Sequence, residues 1–376
     1  MNIFFNKLHI KTRVEKLRKA MEHNGFDTTI IFSDENRRYL SGFTGEDGNY
    51  DESAGILIIT MESLILATDG RYETQAAAQA PLYNVFCYKE NIPKELPSLL
   101  ASVNARNTAL ETSRLTVDLY NKIKIGIEEQ ASDIILSSAD TFLKHLRIIK
   151  DEHEVGAIRE SLKIAEKAFL ELKGAIHEGM TEKEAAWFLE KAIRENGADS
   201  LSFDVIAASG PNAALPHAVP GERKFRKNEP LLFDFGARLN GYCSDTTRTL
   251  IMGVPENTFK AAYETLFNAQ KLAIDAIKPG IPCSEIDKIA RDYIEESRFK
   301  GAFTHSLGHG VGIAIHEAPR LSKFDETPLQ AGMVVTVEPG IYIPEWGGIR
   351  LENMVWVTTE GAQVLNETGY EDHIVQ

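Results

Sequence analysis

Along residues 13–25, RVEKLRKAMEHNG, apolar side chains return every three or four positions and Gly25 follows as a C-cap-type residue, which predicts a helix. DTTIIFS (27–33) then reads as a strand. Two apolar runs, AGILIIT (54–60) and SLILATD (63–69), flank Met61-Glu62 and predict a hairpin. GRYETQAAAQA (70–80) turns helical, and YNVFCYK (83–89) returns to strand. Alternation of this kind is α/β. The pattern breaks near 140–153. Beyond it, HLRIIKDEHEVGAIRESLKIAEKAFLELKGAI opens a long amphipathic helix with acids in its first turns. Thr181-Glu182-Lys183-Glu184 is a capping box that starts a second helix, stopping at Gly197. Helices over 258–277 and 285–298 follow, the latter opening at Ser284 with Asp287 three residues on, a weaker version of the same box. Strands are expected within 203–208, 231–250, 333–338 and 348–358. The later part is therefore expected to be α+β, helices on antiparallel sheet, with a boundary at about residue 145 and domains over 1–145 and 146–376.

Composition narrows the function classes. A chain of 376 residues is comfortable for two domains and can bury a large core without staples. Its net charge of −14 would repel a polyanion, which argues against a nucleic-acid partner. Cys87, Cys243 and Cys283 are odd in number and far apart, with no CxxC pair. That argues against a disulfide framework and against a thiolate zinc cluster, and fits a reducing compartment. The start, MNIFFNKLHIKTR, lacks the basic opening, long apolar core and cleavage site of a signal peptide. No run reaches the roughly 18 apolar residues a membrane helix needs. The expectation is a cytoplasmic protein with no membrane partner.

The candidate chemistry begins in residues 231–249, LLFDFGARLNGYCSDTTRT. With Asn240-Gly241 at the tip of a hairpin, Leu239 faces Tyr242, Arg238 faces Cys243, Ala237 faces Ser244 and Gly236 faces Asp245. Asp234 shares Gly236's face, so the two aspartates are diagonal neighbours, roughly 7–8 Å apart at the backbone. Phe233 and Phe235 lie on the opposite face, which looks like the core side. The acids then either point to solvent, the usual fate of Asp, or converge on cations that offset the cost of burying them. The hairpin alone leaves both readings open. Further on, THSLGHGVGIAIHEAPR (304–320) concentrates His305, His309 and His316 among glycines, without the HExxH pattern of zinc proteases. In MVVTVEPGIYIPEWGGIRLENMVWVT (333–358), Glu338 ends a β-branched run and Glu352 interrupts an apolar strand. Asp234, Asp245, His309, Glu338 and Glu352 thus form an oxygen-rich set with one nitrogen, suited to Mn, Co or Zn. Four carboxylates balance two divalent ions, and a dinuclear site with a bridging hydroxide supplies a nucleophile at neutral pH.

The segments FDFG-x₈-SDTTRT, SLGHGVGIAIHE, TVEPGIY and GGIRLEN closely resemble the family of Xaa-Pro aminopeptidases and Xaa-Pro dipeptidases (prolidases), over about residues 150–376. NRRYLSGFTG (36–45) and TDGRYETQA (68–76) are similar to the creatinase/prolidase N-terminal domain. The resemblance implies a pita-bread catalytic domain behind an α/β N-terminal domain, two divalent ions with manganese first and cobalt or zinc as alternatives, and a homodimer. It implies hydrolysis of the bond between an N-terminal residue and proline, in peptides or dipeptides. By the same resemblance Asp234 chelates the first ion, Asp245 and Glu352 bridge both, and His309 and Glu338 bind the second. Glu338 also shuttles a proton. His217 contacts substrate and gates the site, His316 holds the scissile carbonyl or the proline side, and Arg350 supports the shell. Thr247 is placed as partner of Asp245. His217 or His316 alone would more often be structural; His177 and His305 are read as ordinary surface or core residues, and Tyr242 and Trp346 as packing.

Two features depart from the family. Asn353 stands where an acid is more common, and the acidic loop EDGNYDES (46–53) is longer than usual, with an expected influence on which peptide lengths are accepted. The competing readings are a non-catalytic binding module or a metal-dependent lyase on the same fold. Retention of all five ligand positions speaks against the first. Methionine aminopeptidase is disfavoured because it lacks the large N-terminal domain.

Overall fold

The computed structural model describes residues 6–48, 52–130, 133–370 and 373–375. The chain divides into two compact units, Met1–Arg147 and Ile148–Gln376.

The first unit is built on six strands: β1 (Thr28–Ile31), β2 (Ile56–Thr60), β3 (Leu64–Thr68), β4 (Asn84–Cys87), β5 (Asn107–Leu110) and β6 (Ile135–Ser138). Its helices are α1 (Lys7–His23), α2 (Asp34–Ser41), α3 (Glu73–Gln79), α4 (Ile92–Ser102), α5 (Val117–Gln130) and α6 (Asp140–Leu143). The sheet runs β4-β3-β2-β1-β5-β6, antiparallel through the β1–β2–β3 pairs and parallel in the β3–β4, β1–β5 and β5–β6 pairs. The expected hairpin is present, with Ile59 opposite Leu64. Helix α1 starts earlier than its periodicity suggested because the Asn6 carboxamide oxygen accepts from the amides of Leu8 and His9, both at 3.0 Å, and caps the first turn. Ile30, Ile58, Leu96, Leu100, Leu110 and Ile123 form the fully buried centre of this unit. Of the acidic loop 46–53, residues 49–51 lie outside the described residues. Asp47 is structural: it pairs with the buried Arg37 at 2.9 Å and accepts from the Ala54 amide at 2.8 Å.

The second unit opens with α7 (Glu152–Ala175) and α8 (Glu182–Glu195). Both start at capping boxes, Asp151 with Glu154 and, as predicted, Thr181 with Glu184. Strands β7 (Ser200–Leu201), β8 (Ile206–Ser209), β9 (Pro230–Phe235), β10 (Ala237–Leu239), β11 (Tyr242–Cys243) and β12 (Thr246–Met252) follow. Then come α9 (Asn257–Ala276) and α10 (Cys283–Glu295). The remaining strands are β13 (Gly308–Gly310), β14 (Glu317–Leu321), β15 (Val334–Val337), β16 (Gly340–Ile343), β17 (Gly347–Arg350), β18 (Asn353–Val357), β19 (Ala362–Val364) and β20 (Ile374–Val375). They form sheets β11-β10-β7, β20-β12-β9-β8, β14-β13-β15-β18-β19 and β16-β17. The box expected at Ser284 does not form. Helix α10 starts two residues earlier, at Cys283 behind Pro282, and the buried Asp287 carboxylate is taken by Arg291 at 2.8 Å and the Leu307 amide at 3.0 Å.

The sequence-derived hairpin register holds: Arg238 faces Cys243, Leu239 faces Tyr242, and further along Phe235 faces Thr246 and Asp234 faces Thr247. The ribbon is shared between two sheets, however, and Asp245 lies at the joint between β11 and β12. The joint is tight. A Cβ on Gly236 would stand 2.0 Å from the Ser244 carbonyl oxygen, so only glycine lets the two strands pass. Phe233 and Phe235 are fully buried against Phe169 of α7, with ring centroids 6.2 and 5.1 Å away. Burial of each such ring stabilises the fold by about 1.5–3 kcal/mol and fixes which face of β9 meets the helices. Asp234 is thereby turned to the other face. In the second half, α9 and α10 bury Phe259, Leu266, Ala273, Ile286 and Ile294 in one cluster with Val335, Val337, Ile341 and Val355.

Candidate metal centre

Each acidic side chain of interest stands at the end of a strand or between two. Asp234 is near the end of β9, Asp245 between β11 and β12, Glu338 just after β15, and Glu352 between β17 and β18. One carboxylate oxygen from each of Asp234, Asp245 and Glu352 lies within 4.8 Å of the other two. His309, on β13, brings its Nε2 to 3.4 Å from Asp245 Oδ2 and 3.4 Å from Glu338 Oε1. The fold thus gathers all five expected residues, in two groups that share Asp245. His309 Nδ1 is 3.1 Å from the Gly310 carbonyl, which can only accept, so Nδ1 carries a proton and Nε2 is the nitrogen turned to the acids. The ring hangs from a backbone without room to spare: a Cβ on Gly308 would sit 2.0 Å from the Thr336 carbonyl oxygen.

The electrostatics are those of a cluster lacking positive charge. Burial, reinforced by Asp234 and Glu338, pushes the Asp245 carboxyl well above the usual range. Burial together with Asp245, Glu338 and Asp234 does the same to Glu352. Glu338 is raised by burial, with His309 and Arg350 working in the opposite direction. Asp234 Oδ1 and Glu352 Oε1 are buried and have no hydrogen-bond partner among the described residues. Orphaned oxygens, converging carboxylates and an imidazole nitrogen fit a divalent cation site, because cations would satisfy every one of them at once.

The surrounding polar groups orient the acids. The Arg350 guanidinium donates through Nη2 to Asp234 Oδ2 at 2.5 Å, through Nε to the Thr247 hydroxyl at 2.9 Å, and through Nη1 to Tyr342 at 3.0 Å and the Pro216 carbonyl at 3.2 Å. Thr247 in turn donates to Glu352 Oε2 at 2.7 Å. This corrects the expectation for Thr247: its partner is Glu352, because the strand pairing sets it opposite Asp234 and the 350–352 segment docks beside it. Thr336 donates to Glu338 Oε1 at 3.0 Å. His305, read from the sequence as ordinary, has a defined place. Its Nδ1 donates to the Ser306 carbonyl at 2.8 Å and its Nε2 accepts from the Tyr342 hydroxyl at 2.9 Å. Burial and the positive charge of Arg350 lower its pKa to about 3, so the ring is neutral. Tyr342 was missed altogether; the signal was a tyrosine alternating with glycine in PGIYI, beside a candidate acid.

The other expected residues are less enclosed. His316 is exposed, its ring 4.4 Å from that of His309 and nearly perpendicular to it. Its neighbour Glu317 pairs with Lys150 Nζ at 2.5 Å, the side chains 7% and 2% exposed, which anchors the end of the glycine-rich segment. His217 is exposed on the segment between β8 and β9, close enough to act electrostatically on His305 and His316. Asn353 accepts from Arg248 at 3.2 Å and takes no place among the acids. Tyr242 packs, as expected, and donates to Glu154 at 2.9 Å. Trp346 donates to Glu256 and His177 is exposed.

This arrangement is that of a known class. Residues 156–359 match metallopeptidase family M24, and residues 13–149 match the creatinase/prolidase N-terminal domain. The chain belongs to metallopeptidase family M24: a pita-bread metallopeptidase domain behind a creatinase/prolidase N-terminal domain, as the motifs implied. It is 38% identical to a Xaa-Pro dipeptidase of Pyrococcus furiosus over 96% of this chain and 99% of that one. Among solved structures it is similar to a Xaa-Pro dipeptidase from Bacillus anthracis (36% identity, TM-score 0.89, covering 97% of this chain and 100% of the other). It is also similar to an X-Pro aminopeptidase from Thermotoga maritima (33% identity, TM-score 0.85, 96% and 100%). Among the described residues, no helix is long and apolar enough to cross a membrane.

Proposed function

We propose that this protein is a dinuclear metal exopeptidase that hydrolyses the bond between an N-terminal residue and proline, with dipeptides as its first substrates. The observation that carries the reading is the convergence of Asp234, Asp245, His309, Glu338 and Glu352, with two buried carboxylate oxygens left unpartnered. Relatives named for Xaa-Pro dipeptidase and X-Pro aminopeptidase activity support the choice of bond.

In this reading Asp234 would hold one ion and His309 and Glu338 the other, with Asp245 and Glu352 available to both; manganese is the first candidate, with cobalt or zinc as alternatives. When bound, such ions polarise the scissile carbonyl and make water a nucleophile at neutral pH. The protein's own groups do the rest. Arg350 and Thr247 fix the rotamers of Asp234 and Glu352, so the donor set needs no rearrangement. The Glu338 side chain is 16% exposed against 7% for Asp245, and Asp234, at 14%, is already held by Arg350, so Glu338 is the acid left to meet an incoming peptide. It takes the proton released by the attacking water and delivers it to the proline nitrogen as the C–N bond breaks. His217 and His316 donate to the carbonyl oxygen as negative charge develops there. The free α-amine of the substrate is held near the carboxylates, which confines cleavage to the N-terminal residue.

The same resemblance supports a homodimer. Cys87, Cys243 and Cys283 are all free thiols, in keeping with a reducing, cytoplasmic setting. The test is kinetic. Manganese-loaded protein is expected to release alanine and proline from Ala-Pro, and the ratio of kcat/KM on Ala-Pro to that on Ala-Pro-Xaa-Xaa separates dipeptidase from aminopeptidase. Asp245→Ala is expected to lower the rate by more than about 1,000-fold with an unchanged circular dichroism spectrum. A wild-type protein inert on both substrates with manganese, cobalt and zinc overturns the assignment.

A further inference from the structure

The segment that carries His217 is closed at its ends by the buried Glu182, with Arg223 Nε donating to the Ser209 carbonyl at 2.9 Å beside it. It leaves β8 at Ser209, makes a 3-10 turn over Gly210–Ala214, passes Pro216, His217 and Pro220, and returns at Gly221. Glu182 is the first residue of α8, directly after the Thr181 cap, but the capping box uses Thr181 and Glu184 and leaves Glu182 aside. Its side chain turns inward, and the residue is 0% exposed. Oε1 accepts from the Ser209 amide at 2.8 Å, the Ser209 hydroxyl at 3.0 Å and the Asn212 carboxamide at 3.1 Å. Oε2 accepts from the Asn212 carboxamide at 3.1 Å and, from the far end of the segment, the Gly221 amide at 3.1 Å. The main chain repeats the link, Lys183 N donating to the Gly221 carbonyl at 3.1 Å and Glu182 N to that of Arg223 at 3.0 Å.

Between its ends the first half of the segment packs closely on β17, where a Cβ on Gly348 would stand 2.0 Å from the Ala213 carbonyl oxygen and one on Gly347 2.8 Å from that of Gly210. Ala213 and Ala218 are buried in a small cluster with Ile206, Ala208 and Leu232. The Pro216 carbonyl takes the guanidinium of Arg350, which also holds Asp234. Leu215, His217 and Val219 are exposed. A compact loop with close ends is held by its own packing and by whatever joins those ends. A buried carboxylate spends its charge on as many donors as surround it, and here those donors are the two ends of one loop.

We propose that Glu182 is a positioning residue: by tying Ser209 and Asn212 to Gly221 it closes the 209–221 loop and sets where His217 stands. The proposal rests on His217 contacting substrate, as in the reading above. Glu182→Gln preserves volume but replaces one acceptor oxygen with a donor, so one end of the loop loses its partner. Misplacing a substrate-contacting group by about an ångström costs up to about 100-fold in rate.

The experiment has two arms, both on the manganese-loaded full-length protein. In the first, hydrogen–deuterium exchange of the peptide spanning 209–221 is expected to speed up by about tenfold or more in Glu182→Gln, with β9 and β12 unchanged. In the second, Glu182→Gln is expected to lower kcat on Ala-Pro by about 10–100-fold at unchanged manganese affinity, and to cost less than about twofold when introduced into His217→Ala. Equal losses in both backgrounds would mean that Glu182 does not act through His217, and unchanged exchange would mean that it does not close the loop; either overturns the proposal. Should Glu182→Gln not fold, Asn212→Ala removes two of the five contacts and is held to the same outcomes at reduced size. A wild type inert on Ala-Pro condemns the peptidase reading alone, and the exchange arm then decides the closure.

Discussion

In the N-terminal unit, Glu111 is buried with every oxygen engaged. It accepts from the amides of Phe32 and Ser33, both at 2.8 Å, from the Ser33 hydroxyl at 2.7 Å and from Asn36 at 2.6 Å. In the C-terminal unit, Asp245 and Glu352 are as deeply buried, yet their neighbours are other acids, and Glu352 keeps one oxygen with no partner among the described residues. The two regions bury the same functional group under opposite conditions. Around Glu111 the protein supplies the donors, and the carboxylate is complete as structure. Around Asp245 and Glu352 it supplies mostly further acids, with Thr247 the donor to one Glu352 oxygen, at a cost in stability that added cations recover. Burial of an acid is therefore uninformative until its partners are counted.

That contrast can be broken experimentally. The largest effect is expected from stripping divalent ions with a chelator: Ala-Pro cleavage falls by more than about 1,000-fold and returns with manganese. The same treatment lowers the stability of the C-terminal unit by about 2.7 kcal/mol relative to ions at 100 times their Kd, read as a shift in its melting transition. A protein whose activity and melting both ignore the chelator ends the comparison. Next in size, Glu111→Gln is expected to cost about 2–3 kcal/mol, because donors around it lose their acceptor. Glu352→Gln in metal-free protein is expected to be neutral or stabilising, since it removes a like charge. Denaturant unfolding of both variants checks this, and equal destabilisation would erase the distinction. The smallest effect concerns His305. Its pKa is lowered to about 3 from a usual value near 6.5, so the stability that goes with the neutral ring is full above 6.5 and is lost as pH falls toward 3. His305→Gln cannot take up that proton. Its deficit in Tm against wild type is expected to shrink by a few degrees between about pH 7 and pH 5.

Much of the site was legible in the chain because its residues contradict their surroundings. Asp234 and Asp245 interrupt a hairpin whose register Asn240-Gly241 specifies, and that register is the one observed. Glu338 and Glu352 interrupt apolar strands, and His309 sits in a cluster of histidines and glycines. What could not be read is what holds them. Thr247 bonds to Glu352, not to its hairpin neighbour Asp245, because the choice depends on how two strands distant in sequence dock. Asp287 looked like a cap and proved to be a buried anchor for Arg291 and Leu307, since local spacing does not report which polar groups arrive from elsewhere. Glu182 looked like an ordinary acid in a first helical turn for the same reason. Helices α2, α4 and α5 were not delimited by periodicity; α2 and α4 are short, and α4 carries Pro97 inside it.

Glu352 comes late in the chain, while Asp234 precedes it by more than a hundred residues. During synthesis, the earlier unit and the first ribbon can mature while the carboxylate that completes the centre is still inside the ribosome. A nascent or prematurely terminated product thus lacks the means to retain its ions. Assembly of the ion-binding set waits for the last of these acids to be made, an ordering in time that follows from nothing more than the order in which they are encoded.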